Sequence, residues 1–132
     1  MKTNVDTVKQ MYAAFVRKDI PSILEHLDEN VEFDTEVAAN EVPWLQPRRG
    51  RGNIPAFFEA LTPMNITKFE PHTYFESGNK VFALVRVEAT MNGKQYTIPN
   101  EGHYWTFNPG GRVIGFQHLT DTALAQRMAR GE

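Results

Sequence analysis

Val81-Phe82-Ala83-Leu84-Val85-Arg86-Val87-Glu88-Ala89-Thr90, followed by Met91-Asn92-Gly93, is the stretch that decides the architecture. Side chains alternate across a strand, so Val81, Ala83, Val85, Val87 and Ala89 form one small apolar face and Phe82, Leu84, Arg86, Glu88 and Thr90 a mixed one. Asn92-Gly93 supplies the two positive φ angles of a two-residue hairpin turn. Working outward, Ser77-Gly78-Asn79 and Asn108-Pro109-Gly110-Gly111 punctuate further strands, which are predicted over about 66–76, 80–91, 95–107 and 112–120. Four antiparallel strands in a meander follow.

Upstream the period changes to that of helices. Val5, Val8, Tyr12, Phe15 and Val16 fall on one helical face, predicting a helix over about 4–17 capped by Thr3 or Asn4. Asp19 and Pro21 then start a short second helix with the stripe Ile20, Ile23, Leu24 and Leu27. Val31-Glu32-Phe33-Asp34 reads as a short strand, and Pro43, Pro47, Gly50 and Gly52 mark an irregular loop. Asn53 is expected to cap a third helix with the stripe Ile54, Phe57, Phe58 and Leu61, and Asp121 a last one over 122–130. The order predicts an α+β fold: a cone-shaped, curved antiparallel sheet with a mixed edge and three N-terminal helices on its concave face, all in one domain over 1–132.

Composition excludes several function classes. The 132 residues carry a formal charge of −2, which lacks the positive field of a general nucleic-acid binder. With no cysteine, thiolate metal sites and cysteine nucleophiles are ruled out. No apolar run reaches the length of a membrane span, and the start lacks the apolar stretch of a signal peptide, so a cytoplasmic location with no membrane partner is expected.

The strand faces locate the candidate chemistry. Glu101, His103, Trp105 and Phe107 share one face of their strand, and Ile114, Phe116, His118 and Thr120 one face of the next. If these faces point inward, an apolar cavity holds His103, His118 and Glu101 as isolated titratable groups, suited to acid–base work on a hydrophobic substrate. Tyr12, Phe57, Phe58, Trp105 and Phe116 read as pocket wall. Trp44 either covers the pocket mouth or packs in a subunit contact. Arg48, Arg49 and Arg51 read as a solvated basic loop, with anion binding as the alternative. Two histidines and a carboxylate could ligate zinc, but the two-residue spacing lacks a zinc pattern and no metal is expected.

Met11-Tyr12-Ala13-Ala14-Phe15, Leu27-Asp28-Glu29-Asn30-Val31-Glu32-Phe33, Gly52-Asn53-Ile54-Pro55-Ala56-Phe57-Phe58, Gly102-His103-Tyr104-Trp105-Thr106-Phe107 and Arg112-Val113-Ile114-Gly115-Phe116-Gln117-His118 together resemble the nuclear transport factor 2-like superfamily. Within it the likeness is to the SnoaL-like polyketide cyclase and ketosteroid isomerase branch. The resemblance implies cofactor-free isomerase or cyclase chemistry: proton abstraction next to a carbonyl of a cyclic or polyketide-like substrate. It places Asp34 at the base position of the isomerases and His103 or Glu101 at the position of their protonated aspartate. The family's helix-1 tyrosine falls on Met11, one residue from Tyr12, and the acid–base aspartate of the cyclases on His118. His118, Asp34 and His103 are therefore the candidate catalytic residues, with His118 or Asp34 accepting the proton and His103 or Tyr12 donating to the enolate. Tyr12, Trp44, Phe57, Phe58, Glu101, Trp105 and Phe116 are expected to contact the ligand. A competing reading is a non-catalytic ligand-binding or dimerisation domain. In either case Phe82, Leu84 and Tyr104 on the outer sheet face point to a homodimer.

Overall fold

Thr3 starts the first helix by a reciprocal pair of bonds: its hydroxyl accepts from the Asp6 N–H while the Asp6 carboxylate accepts from the Thr3 N–H. The computed structural model describes residues 2–38 and 41–132. Helix α1 (Asn4–Val16) buries Val8, Met11, Tyr12 and Ala14, and Lys18, at φ 61°, turns the chain out of it. Asp19 caps α2 (Ile20–Leu24). That helix is shorter than expected, because Leu27 opens strand β1 (Leu27–Phe33) instead of closing the helical stripe. A leucine four residues after Ile23 satisfies the helical period and the start of a strand equally, so periodicity could not separate them.

The following loop holds a 3-10 turn at Pro43–Leu45 and a two-residue strand β2 (Arg48–Arg49). Helix α3 spans Pro55–Ala60. Asn53 does not cap it; it lies in a 3-10 turn over Arg51–Asn53 and donates its side-chain amide to the Arg49 carbonyl. Ile54 takes the cap position without a side-chain bond. Strands β3 (Asn65–Ser77), β4 (Lys80–Met91), β5 (Lys94–Phe107) and β6 (Val113–Leu119) form the meander. Asn92 (φ 54°) and Gly93 (φ 75°) make the expected hairpin turn. Helix α4 (Thr122–Arg130), capped by Asp121, brings the helices to four among the described residues.

The sheet runs β2-β1-β6-β5-β4-β3 and does not close. All neighbours are antiparallel except β1 and β6, which run parallel; this is the mixed edge. Val81, Ala83, Val85, Val87 and Ala89 are buried on the concave face, as alternation requires. Ile114 departs from the expected face. The β5–β6 register slips between Thr106 and Phe107, so Val113 turns inward and Ile114 is 36% exposed, while Phe116 and His118 keep their inward positions.

Candidate active site

Under the concave face lies a cavity of about 90 Å³, walled by the helices and by β3 to β6. Its lining is aromatic and aliphatic except at one end. There Glu101, His103, His118 and Thr120 project from β5, β6 and the turn that follows. His103 and His118 are cross-strand partners in the β5–β6 ladder, and their rings stand 5.5 Å apart, nearly perpendicular.

Two separate polar arrays hold these rings. Asp34 ends β1 with φ 55°, a left-handed conformation uncommon outside glycine. This turn lays its fully buried carboxylate against β6. The His118 backbone N–H donates to Asp34 Oδ1 at 2.8 Å and His118 Nδ1–H to Oδ2 at 2.8 Å. That fixes the imidazole with Nε2 as its remaining nitrogen on the cavity side. Burial opposes a charge on His118, but the bond to Asp34 and the charges of Asp34 and Glu101 outweigh it and lift its pKa above the ordinary value.

The second array runs through His103. Its Nε2 lies 2.7 Å from Glu101 Oε1 and its Nδ1 2.7 Å from the Tyr12 hydroxyl, which also receives the Trp105 indole N–H at 3.1 Å. Burial disfavours the Glu101 carboxylate, yet the hydrogen bond from His103, the charge of His118 and the Thr120 hydroxyl hold its pKa below the usual range. An ionised carboxylate only accepts, so Nε2 carries the His103 proton. Burial pushes His103 below its ordinary value, against the pull of Glu101. Neutral His103 therefore accepts at Nδ1, and Tyr12 donates to it. Burial also pushes the Tyr12 phenol well above its usual value.

These geometries bear on the roles expected of Asp34, His103 and Tyr12. Asp34 is not among the residues that line the cavity, and both its oxygens accept from His118, the backbone N–H at one and Nδ1–H at the other. Nor do His103 and Tyr12 offer a free donor to an enolate, since each is engaged with the other and with Glu101 or Trp105. Tyr12, Trp44, Phe57, Phe58, Glu101, Trp105 and Phe116 all line the cavity. Trp44 reaches it from the 3-10 turn, buried against the core. The arginines have protein partners: Arg48 donates to the Gln46 and Pro43 carbonyls, Arg49 pairs with Glu32 at 3.0 Å, and Arg51 donates to Leu27.

One ligating atom each from Glu101, His103 and His118 lies within 4.8 Å of the others. A divalent ion there would have to break the Glu101–His103 bond, so these two side chains fit a hydrogen-bonded network better than a metal site. Phe69, Met11 and Ile98 line the cavity without having been expected. Phe69 packs edge-on against Tyr12 at 5.4 Å. Strand β3 slips register on both sides of it, which hid its direction from simple alternation.

A family model described as a SnoaL-like domain matches residues 8–118. The chain belongs to the SnoaL-like family, within the nuclear transport factor 2-like superfamily. No curated protein matches it. Among solved structures, an NTF2-like protein of unknown function from Burkholderia pseudomallei is 27% identical, with a TM-score of 0.84 over 98% of both chains. TerC, co-crystallised with polyporic acid, is 21% identical, with a TM-score of 0.78 over 96% of this SnoaL-like chain and 98% of its own. A candidate polyketide cyclase from Pseudomonas putida is 19% identical, with a TM-score of 0.71 over 96% of this chain and 98% of its own. Among the described residues no helix of the SnoaL-like domain is long and apolar enough to cross a membrane.

Proposed function

We propose that this SnoaL-like protein is a cofactor-independent isomerase or cyclase that moves a proton next to a carbonyl of an apolar, cyclic or polyketide-like substrate. The observation that carries the reading is the His118 imidazole, held by the buried Asp34 carboxylate through Nδ1 and facing an otherwise oily hollow. His118 Nε2 takes the proton from carbon. The positive charge that then forms on the imidazole lies between Asp34 and the developing enolate, in surroundings where water cannot screen the attraction. Returning the proton at a second carbon completes an isomerisation; attack of the enolate on a second carbonyl of the same molecule, with His118 returning the proton to the alkoxide that forms, completes a cyclisation. Glu101 and His103 form the polar end of the wall and keep the substrate's apolar body turned away from it. The polyporic acid of the TerC crystal and the cyclase designation of the Pseudomonas protein support a substrate of this class.

Exchange of α-protons of cyclic ketones in D2O, followed by NMR across a panel that includes polyketide-like aromatics, tests the assignment. Removing a positioned general base costs roughly 10²- to 10⁴-fold in rate. His118→Gln is expected to lose at least a hundredfold in exchange of the best substrate while its melting curve stays that of a folded protein. Undiminished exchange by that variant would end the role of His118, and a panel bound but never exchanged would leave a binding protein.

A further inference from the structure

The cavity beside His118 has less room than a ring substrate occupies. Its volume is about 90 Å³, whereas an apolar cavity of about 150 Å³ accommodates one benzene. A ligand whose reacting edge reaches His118 must therefore extend beyond it. A second hollow abuts the first: a groove of about 800 Å³ between the end of α1, helix α3 and the start of β3. Phe15, Phe58, Leu61, Met64, Ile66 and Phe69 line both. Beyond that shared wall the groove continues over Val16, which is 62% exposed and takes no part in the inner cavity. Its charged lining residues are one of each sign, Lys18 and Glu59, so neither an anion nor a cation is selected.

We infer that cavity and groove are one binding site, built for a molecule whose carbonyl-bearing head lies at His118 and whose uncharged apolar tail runs past Phe15 and Phe58 to Val16. The position of the head rests on the proposed acid–base role of His118; the tail rests on the groove. The Phe15 ring stands 6.2 Å from Phe58 and 4.8 Å from Phe69, so the shared wall is an aromatic cluster whose members face both spaces. Burying a methylene there strengthens binding about three- to fourfold. Chain length, and not tail charge, then sets affinity.

Phenol, 4-propylphenol and 4-hexylphenol are suitable probes, because a phenol presents a flat enol-like head and the para chain a graded tail. Titration calorimetry on the full chain is expected to show at least tenfold tighter binding at each three-carbon step. Val16→Glu, at an exposed position lining the groove alone, is expected to remove at least fivefold from the hexyl gain and to leave the phenol affinity and the melting temperature unchanged. Equal affinities along the series, or a hexyl gain that Val16→Glu leaves intact, would overturn the tail site while leaving the acid–base reading to its own exchange test. Failure of all three phenols to bind would overturn it as well.

Discussion

Asp34 adopts a left-handed backbone angle at the end of β1, a conformation that costs most side chains about 1 kcal/mol or more, and both of its oxygens are committed to His118. The strain is offset by two bonds to a charged acceptor. Burial lowers the pKa of His118, and the hydrogen bond and charge of Asp34 raise it further than burial lowers it. As a base His118 works only when unprotonated, so kcat/KM is expected to rise with pH through a midpoint above the ordinary histidine value of about 6.5. Asp34→Asn leaves only the Glu101 charge to oppose burial and is expected to lower that midpoint. A substrate-free NMR titration of the His118 ring checks the same shift. A midpoint that stays where it was in the Asn variant would remove Asp34 from the electrostatics of the site. Alternation along β5 and β6 was enough to put both imidazoles on one inner face. Which carboxylate served which ring was not legible, because the Asp34–His118 bond depends on the parallel pairing of β1 with β6, a contact between residues 84 positions apart.

On β5, Gly102 keeps the outer side of the sheet flat at one point. A Cβ built there would stand 2.8 Å from the Leu119 carbonyl oxygen and 3.0 Å from the Phe82 ring. The ring can turn away, but the carbonyl belongs to the β5–β6 ladder and cannot move without breaking the pairing that sets His103 opposite His118. Gly102→Ala is therefore expected to cost about 1–3 kcal/mol, read from the urea midpoint, as overpacking does elsewhere. An unchanged midpoint would mean that the ladder yields at this point. Elements with one dominant period, β4, β5 and α4, were readable to within a residue or so, helped by Asn92-Gly93 and the Asp121 cap. Where two periods overlap at Leu27, or where a register slip reverses a face at Ile114, local pattern carries no information about the answer. The two-residue β2 exists only because Glu32 and Phe33 pair with it, and nothing in Arg48-Arg49 itself marks a strand.

Across the whole molecule the cavity uses one face of the sheet, and the other, mixed face carries an apolar patch. Phe75, Phe82 and Tyr104 are successive cross-strand partners, as are Leu84, Gly102 and Leu119, and cross-strand partners share a face. Phe75 is 58% exposed and Leu119 54%. Apolar side chains grouped in this way on a sheet surface mark an interaction site. We propose that the partner is a second copy of the chain, packed face to face about a twofold axis that makes each patch its own complement. An interface of standard size buries about 800 Å² on each partner. Analytical ultracentrifugation is expected to give twice the 15.1 kDa of one chain. Phe75→Lys combined with Leu119→Lys places four like charges in the contact and is expected to give the single-chain mass. The variant should keep its proton-exchange activity, because His118 opens on the opposite face from the substitutions. A wild-type protein that sediments as one chain at tens of micromolar would leave the outer face without this partner, and loss of exchange along with dissociation would mean that the second copy holds the cone in shape.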